Sequence, residues 1–323
     1  MRSDELLAAC RNTAYIGDAN AYPQFTDARL LSELNDKLRS VFSDIVVKTR
    51  AGYWLKEIVS TTTAGKARYR IPPRAVVGGL EKIELAFNSG TYTALTEYPA
   101  SEAQYFDGSA TQTTGFWIQG DQVVLLPAPT SSLSMRMSYY LRPSKLVTSQ
   151  SSTQGGDGVV RGQITAVDTT ARTVTVNTLP FDESLTVPAA ITSASQLVDI
   201  VHPDGWHELA AVGLSQTISG TTFTLGGTAD LSDVSVGDYV RVADQTDWPC
   251  LPPDFHRCLA DLAAIKILVE THMLEKAGAV QAGVENDLTR FRSLLLPRVR
   301  SDAKRIGCSP IMRQGAGSWL RRS

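Results

Sequence analysis

The sequence predicts an α+β protein: a helical host domain with a small antiparallel sheet, carrying an inserted all-β domain that forms a small barrel or sandwich. Three observations predict it. Apolar residues recur every three or four positions near both ends of the chain, the spacing of amphipathic helices. Several central stretches alternate polar and apolar residues one by one, the period of half-buried strands. Between Thr148 and Asp247 no stretch has a helical period, although the chain on either side closes into one plausible unit.

The elements follow in order. Residues 3–12 read as a short helix, with Ser3 as N-cap and Asp4 and Glu5 in the first turn, where carboxylates suit the helix dipole. A second helix starts near Thr26 and ends before Gly52. Leu31, Leu34, Leu38, Val41 and Ile45 line its apolar face, and Glu33 and Lys37 pair on its wet side. Strands are predicted in "KARYRIPP", "EKIELAF" and "LSMRMSYYL", each with one wet face. "GFWIQGDQVVLLPAP" reads as a hairpin turning at Gly120-Asp121.

"YYLRPSKLV" ends this sheet, and the chain then passes into "TSQSSTQGGDGVV". Two further hairpins follow, "GQITAVDTTARTVTVN" and "LSQTISGTTFTLGG", the second turning at Ser219-Gly220, and "VGDYVRVAD" closes the region. Helices resume at Pro252-Pro253, since proline suits a first helical turn. The run from Leu259 to Val269 is apolar on most sides, and Gly278 is expected to end its helix. A last helix carries Val280, Val284, Leu288, Phe291 and Leu295 and stops at Pro297. The predicted organisation is therefore a helical domain with an antiparallel sheet over 1–147 and 248–300, an inserted all-β domain over 148–247, and an extended basic arm over 301–323. Linkers are expected at 148–158 and 245–249.

Composition narrows the function. Of 323 residues, 43% are hydrophobic and 20% charged, the balance of a globular chain with ample core. The net charge of −2 divides unevenly: Arg298, Arg300, Lys304, Arg305, Arg313, Arg321 and Arg322 face only Asp302 in the tail, which is therefore +6 and leaves −8 on the rest. Cys10, Cys250, Cys258 and Cys308 form no CxxC and read as free thiols of a reducing compartment. No signal peptide is evident, and the longest apolar run is too short to span a bilayer.

Motifs for chemistry are absent. His202, His207, His256 and His272 have no zinc-ligand spacing, so no metal is expected. Gly78-Gly79, Gly155-Gly156 and Gly226-Gly227 fit no phosphate loop, and there is no GxSxG or HExxH. Asp182, Glu183 and Asp199 could pair as glycosidase acids do, but any β domain has scattered acids. No catalytic residue and no cofactor are predicted. Trp206 in "HPDGWHEL" would suit sugar stacking, which keeps a glycan-binding β module with a helical particle anchor as the alternative reading; a hydrolase with a β substrate domain is a third.

The stretches "LLSELNDKLRSVFSDIV", "ARYRIPPRAVVGGLEKIEL", "GFWIQGDQVVLLPAPTSSLSMRMSYYLRPSKLV" and "LPPDFHRCLADLAAIKIL" carry a resemblance. In this order they resemble the head-to-tail adaptor (connector) proteins of tailed bacteriophages, including the tail tubular protein A group, over 1–147 and 248–300. The resemblance implies a virion protein of the head-tail junction, made in the host bacterial cytoplasm. It implies a homo-oligomeric ring, a dodecamer by the family's habit, beneath the portal protein. Tail or nozzle proteins would bind below, viral DNA would pass through without specific binding, and no membrane is involved. It also implies that the C-terminal segment clamps the portal. On that reading Arg305, Arg313, Arg321 and Arg322 pair with acidic groups while Ile311, Met312, Trp319 and Leu320 fill apolar pockets, Trp and Arg being common interface anchors. A solvated, solubilising tail is the plainer alternative.

Overall fold

The computed structural model describes residues 1–17, 22–43, 45, 54–88, 90–103, 112–148, 161–182, 189–190, 196–202, 209–214, 216–226 and 231–295. Four long helices form one body: α1 (Ser3–Thr13), α2 (Asp27–Lys37), α3 (His256–Glu270) and α4 (Leu274–Leu295). Thr26 caps α2 by accepting from the Arg29 N–H at 3.3 Å, and the helix continues through a π turn, Leu38–Phe42. The expected apolar face holds: Leu31, Leu34, Leu38 and Ile45 are buried, joined by Leu6, Cys10, Leu259, Ala263, Ile267 and Phe291 in one core.

Details of the helices differ from the expectation. The N-cap of α1 is Arg2, whose N–H donates to Glu5 Oε2 at 3.0 Å, while Ser3 is buried within the first turn. Glu33 reaches across to Lys266 of α3 at 2.5 Å, because neighbouring helices bring that cation closer than its own turn does. Gly278 lies inside α4. The break comes at Thr271–Met273, where His272 adopts φ 59° and the His272 and Met273 N–H groups bond back to Val269 and Leu268. This is a left-handed helix stop in which histidine takes the place glycine usually fills.

Two four-stranded sheets make a sandwich. The first has the order β1-β8-β3-β4, from β1 (Leu55–Thr61), β3 (Ala75–Asn88), β4 (Thr91–Ala94) and β8 (Ser134–Leu141). The second, β2-β7-β6-β5, uses β2 (Arg68–Arg70), β5 (Thr96–Glu97), β6 (Gly115–Gln119) and β7 (Gln122–Leu126). The predicted hairpin is β6–β7, with Gly120 at φ 62°. Ile83, Leu85, Met135 and Met137 meet Phe116, Val123 and Leu125 between the sheets.

A separate seven-stranded sheet curls into a half-barrel. Its strands are β10 (Arg161–Asp168), β11 (Thr173–Val176), β14 (Val198–Val201), β15 (Leu209–Leu214), β16 (Gln216–Ser219), β17 (Thr222–Leu225) and β18 (Tyr239–Val242), in the order β15-β14-β18-β10-β11-β17-β16. β15 runs almost directly into β16, so the two edge strands are consecutive in the chain. Alternation is obeyed: Val174, Val176, Phe223 and Leu225 fill its core, and Thr222 and Thr224 point away. A small pair, β12 (Phe181–Asp182) and β13 (Ala189–Ala190), stands beside it.

The chain leaves at β9 (Lys145–Leu146) and returns at β19 (Gln245–Thr246), and these two strands pair in parallel. Asn35 of α2 clasps Leu146 from both sides: its Nδ2 donates to the Leu146 carbonyl at 2.9 Å, and its Oδ1 accepts from the Leu146 N–H at 2.6 Å. The return was expected as a linker. Instead Gln245, Thr246 and Asp247 are buried, and the Asp247 carbonyl accepts from the Ser3 N–H at 2.7 Å.

Candidate functional site

The eight residues expected to dock on a portal, Arg305 to Arg322, lie outside the described residues, as do Cys308, Glu183, Trp206 and His207. Among the described residues the densest set of functional groups sits where the curled sheet meets the rest of the protein.

The seam is built by strands with both faces occupied. In β14, Val198 and Ile200 enter the curled sheet's core, which turns Asp199 and Val201 the other way. β18 pairs with it so that Asp199 lies opposite Arg241 and Val201 opposite Tyr239. From the other side β8 contributes Tyr139 and Leu141, which pack on Val201, with Ala75, Leu80 and Tyr239 around them. The next residue along β8, Tyr140, points into the helical core. The end of β8 therefore has no wet face, contrary to its alternating sequence, because the helical body covers one side and the curled sheet the other.

Charged groups close this seam. Pro72-Pro73 leads into Arg74, whose carbonyl accepts from the Arg142 N–H at 2.8 Å. Arg74 Nη1 donates to both oxygens of Asp199, at 2.7 and 2.8 Å, and its Nη2 donates to Ser144 Oγ at 3.0 Å. Asp199, 0% exposed, also accepts from the Gly213 and Asp244 N–H groups at 2.8 and 3.3 Å. Arg241 Nη2 donates to the same Ser144 hydroxyl at 3.2 Å. Asp244, held at φ 65°, places its Oδ2 3.4 Å from Arg39 Nη2 and 3.2 Å from Arg142 Nη2. Burial pulls Arg74 toward neutrality, but the charge and hydrogen bonds of Asp199, helped by Asp244, outweigh it and raise its pKa. Burial likewise raises the Tyr139 phenol.

The arrangement holds distant segments in place through paired charges. Asp199, one of three acids that could have paired for catalysis, is committed to Arg74 and two backbone donors. His202 Nδ1 lies 3.0 Å from Asp238 Oδ1, and buried His256 contacts the Leu251 carbonyl through Nε2 at 2.9 Å. Among the described residues no group of three or more His, Cys, Asp or Glu could hold a metal ion. Cys10 and Cys258 are free thiols, each pushed up to about 12 by burial and so poor nucleophiles. No helix among the described residues is long and apolar enough to cross a membrane.

Two surfaces could meet partners. The outer face of the first sheet carries a ladder in which Arg136 bonds Glu84 at 2.6 Å, approaches Glu57 at 3.5 Å and stacks on Tyr92, while Lys82 bonds Glu84 at 3.1 Å. On its inner face the row Ile83–Met137–Ile58 runs from core to edge, ending at Ile58 with 41% exposure. At one end of the helical body Tyr15, Val269 and Leu274 are exposed, and Lys276 stacks on the Tyr15 ring.

A comparison with protein families bears on these readings. Residues 1–161 match the SU10 adaptor protein family. The match covers just short of half of the 323 residues: α1, α2, both sheets of the sandwich and β9, ending at the first residue of β10. No curated protein matches the chain. The SU10 adaptor match supports a phage adaptor, a structural virion component that works by contact with other phage structural proteins.

The seam escaped the sequence reading because it has no local signal. "VDIV" carries an acid inside an apolar run and does not alternate, since both of its faces are buried. β1 was missed for a related reason: its residues are half-exposed on both faces, so no period marks it.

Proposed function

We propose that the protein is a head-to-tail adaptor that forms a homo-oligomeric ring beneath the portal, extends the DNA conduit and presents the attachment site for tail components. The observation that carries this reading is the adaptor-family match over residues 1–161. The sandwich, which it spans, and the helical body, of which it spans α1 and α2, supply the ring. The curled sheet, emerging at the β9–β19 neck, is the added contact surface for a tail protein or a neighbouring copy. We take 148–247 as an inserted domain and 301–323 as the arm that clamps the portal through Arg305, Ile311, Met312, Arg313, Trp319, Leu320, Arg321 and Arg322. The kinship with tail tubular protein A rests on the order of sequence elements alone.

The test is reconstitution with purified portal rings. The full chain should co-sediment with them and appear by electron microscopy as an added ring. A chain lacking 306–323 should keep its circular dichroism spectrum and lose attachment. A full chain that ignores portal rings sinks the adaptor reading; normal attachment of the truncated chain sinks the arm alone.

A further inference from the structure

The charge balance at the seam is uneven. Four guanidiniums, Arg39, Arg74, Arg142 and Arg241, surround two carboxylates, Asp199 and Asp244, so two positive charges are unmatched among the described residues. Arg241 is 2% exposed and the Arg74 side chain 12%. The Nε of each of the four arginines is buried without a hydrogen-bond acceptor; that of Arg74 lies 3.7 Å from Asp244 Oδ1, which has no hydrogen-bond donor, and that of Arg241 3.9 Å from Asp199 Oδ2. Asp199 faces both covered arginines, so the surplus falls on Arg39 and Arg142, and a cationic rim of this kind favours an anion. The exposed members of the cluster are Arg39 and Arg142, at 38% and 36%, with Asp244 at 29%. Both rim guanidiniums point an Nη2 at the same Asp244 oxygen, which brings two donor forks to one spot.

We propose that this rim is a binding site for an oxyanion, phosphate or carboxylate, held by Arg39 and Arg142 with Arg74 on the far side of Asp244. Planar forks match the paired oxygens of such a group and discriminate it from chloride. Arg39 belongs to the helical body, Arg142 to the exit of β8 and Asp244 to the return from β18. An anion bridging the two arginines therefore ties the helical body to the exit of β8, beside the return from the curled sheet. The proposal does not depend on the adaptor reading.

Thermal unfolding of the full chain tests it, with inorganic phosphate and succinate each titrated against sodium chloride at matched ionic strength. A saturable rise in Tm at millimolar phosphate or succinate is expected, with slower amide exchange at Lys145–Val147 and Asp244–Thr246. A response to phosphate alone assigns a tetrahedral anion, and a response to succinate assigns a carboxylate. Arg39→Gln and Arg142→Gln, singly and together, should abolish the response; Arg70→Gln, which removes an exposed pair with Asp121, should leave it intact. If the double variant does not fold, either single variant serves. The proposal fails if neither anion raises Tm. It also fails if the rise is linear and survives in the variants, because exclusion of such salts from any protein surface does that.

Discussion

His256 has no exposed surface, and its two ring nitrogens face a backbone carbonyl, that of Leu251, and the amino group of Met1 at 2.7 Å. Burial, the largest cause, lowers its pKa to about 4, with the Met1 ammonium acting in the same direction and the Leu251 carbonyl opposing. The folded state thus resists a proton that the unfolded chain takes up near the ordinary value of 6.5. Stability from this group is full above pH ~6.5 and is lost as pH falls toward 4, by at most about 3 kcal/mol. Urea denaturation between pH 8 and 4.5 should show this loss, and His256→Gln should flatten it. An unchanged slope in the variant would show that other groups set the acid response.

Among the elements, α4 holds the helical body together through one ring. Phe291 packs against Phe255 at 4.2 Å between centroids, Phe42 at 5.6 Å and Trp54 at 6.4 Å, so it joins α4 to the start of α3, to the π turn after α2 and to the segment entering β1. Phe291→Ala should cost about 3–5 kcal/mol, because four elements cannot all collapse into the space left. Leu294→Ala, three residues on and exposed, should stay within about 0.5 kcal/mol. Equal losses for the two by chemical denaturation would mean that α4 docks elsewhere. The stripe Val280, Val284, Leu288, Phe291 was legible in the sequence as a buried face. Which rings Phe291 meets was not, since Phe42, Trp54 and Phe255 come from distant parts of the chain.

For the molecule as a whole, the neck decides how separable the curled sheet is. Lys145–Leu146 and Gln245–Thr246 lie side by side, which makes excision of the intervening chain geometrically simple. Yet Tyr139 and Leu141 would lose their cover, and Arg74 would lose Asp199. A chain joined from Val147 to Asp247 by a short linker should therefore fold but associate through the bared patch, as seen by light scattering. Adding Tyr139→Thr, Leu141→Thr and Arg74→Gln should restore a well-behaved species. If the simple excision is already well behaved, the seam contributes little; if the repaired version does not fold, the curled sheet is needed by the rest of the protein.

What the sequence determined by itself was whatever depends on near neighbours. The periods of α2 and α4, the turns at Gly120-Asp121 and Ser219-Gly220, and the all-β character of the described residues between 161 and 242 follow from local spacing and turn chemistry, and the structure has them. Tertiary structure alone decided the burial of both faces at the end of β8, the pairing of Glu33 with Lys266, and the stop at His272 in place of Gly278. It alone brought Arg39, Arg74, Arg142 and Arg241 around Asp199 and Asp244. The physical reason is that a side chain's periodicity reports how much water it sees on average, whereas the partner of a buried charge is set by which distant segment packs over it.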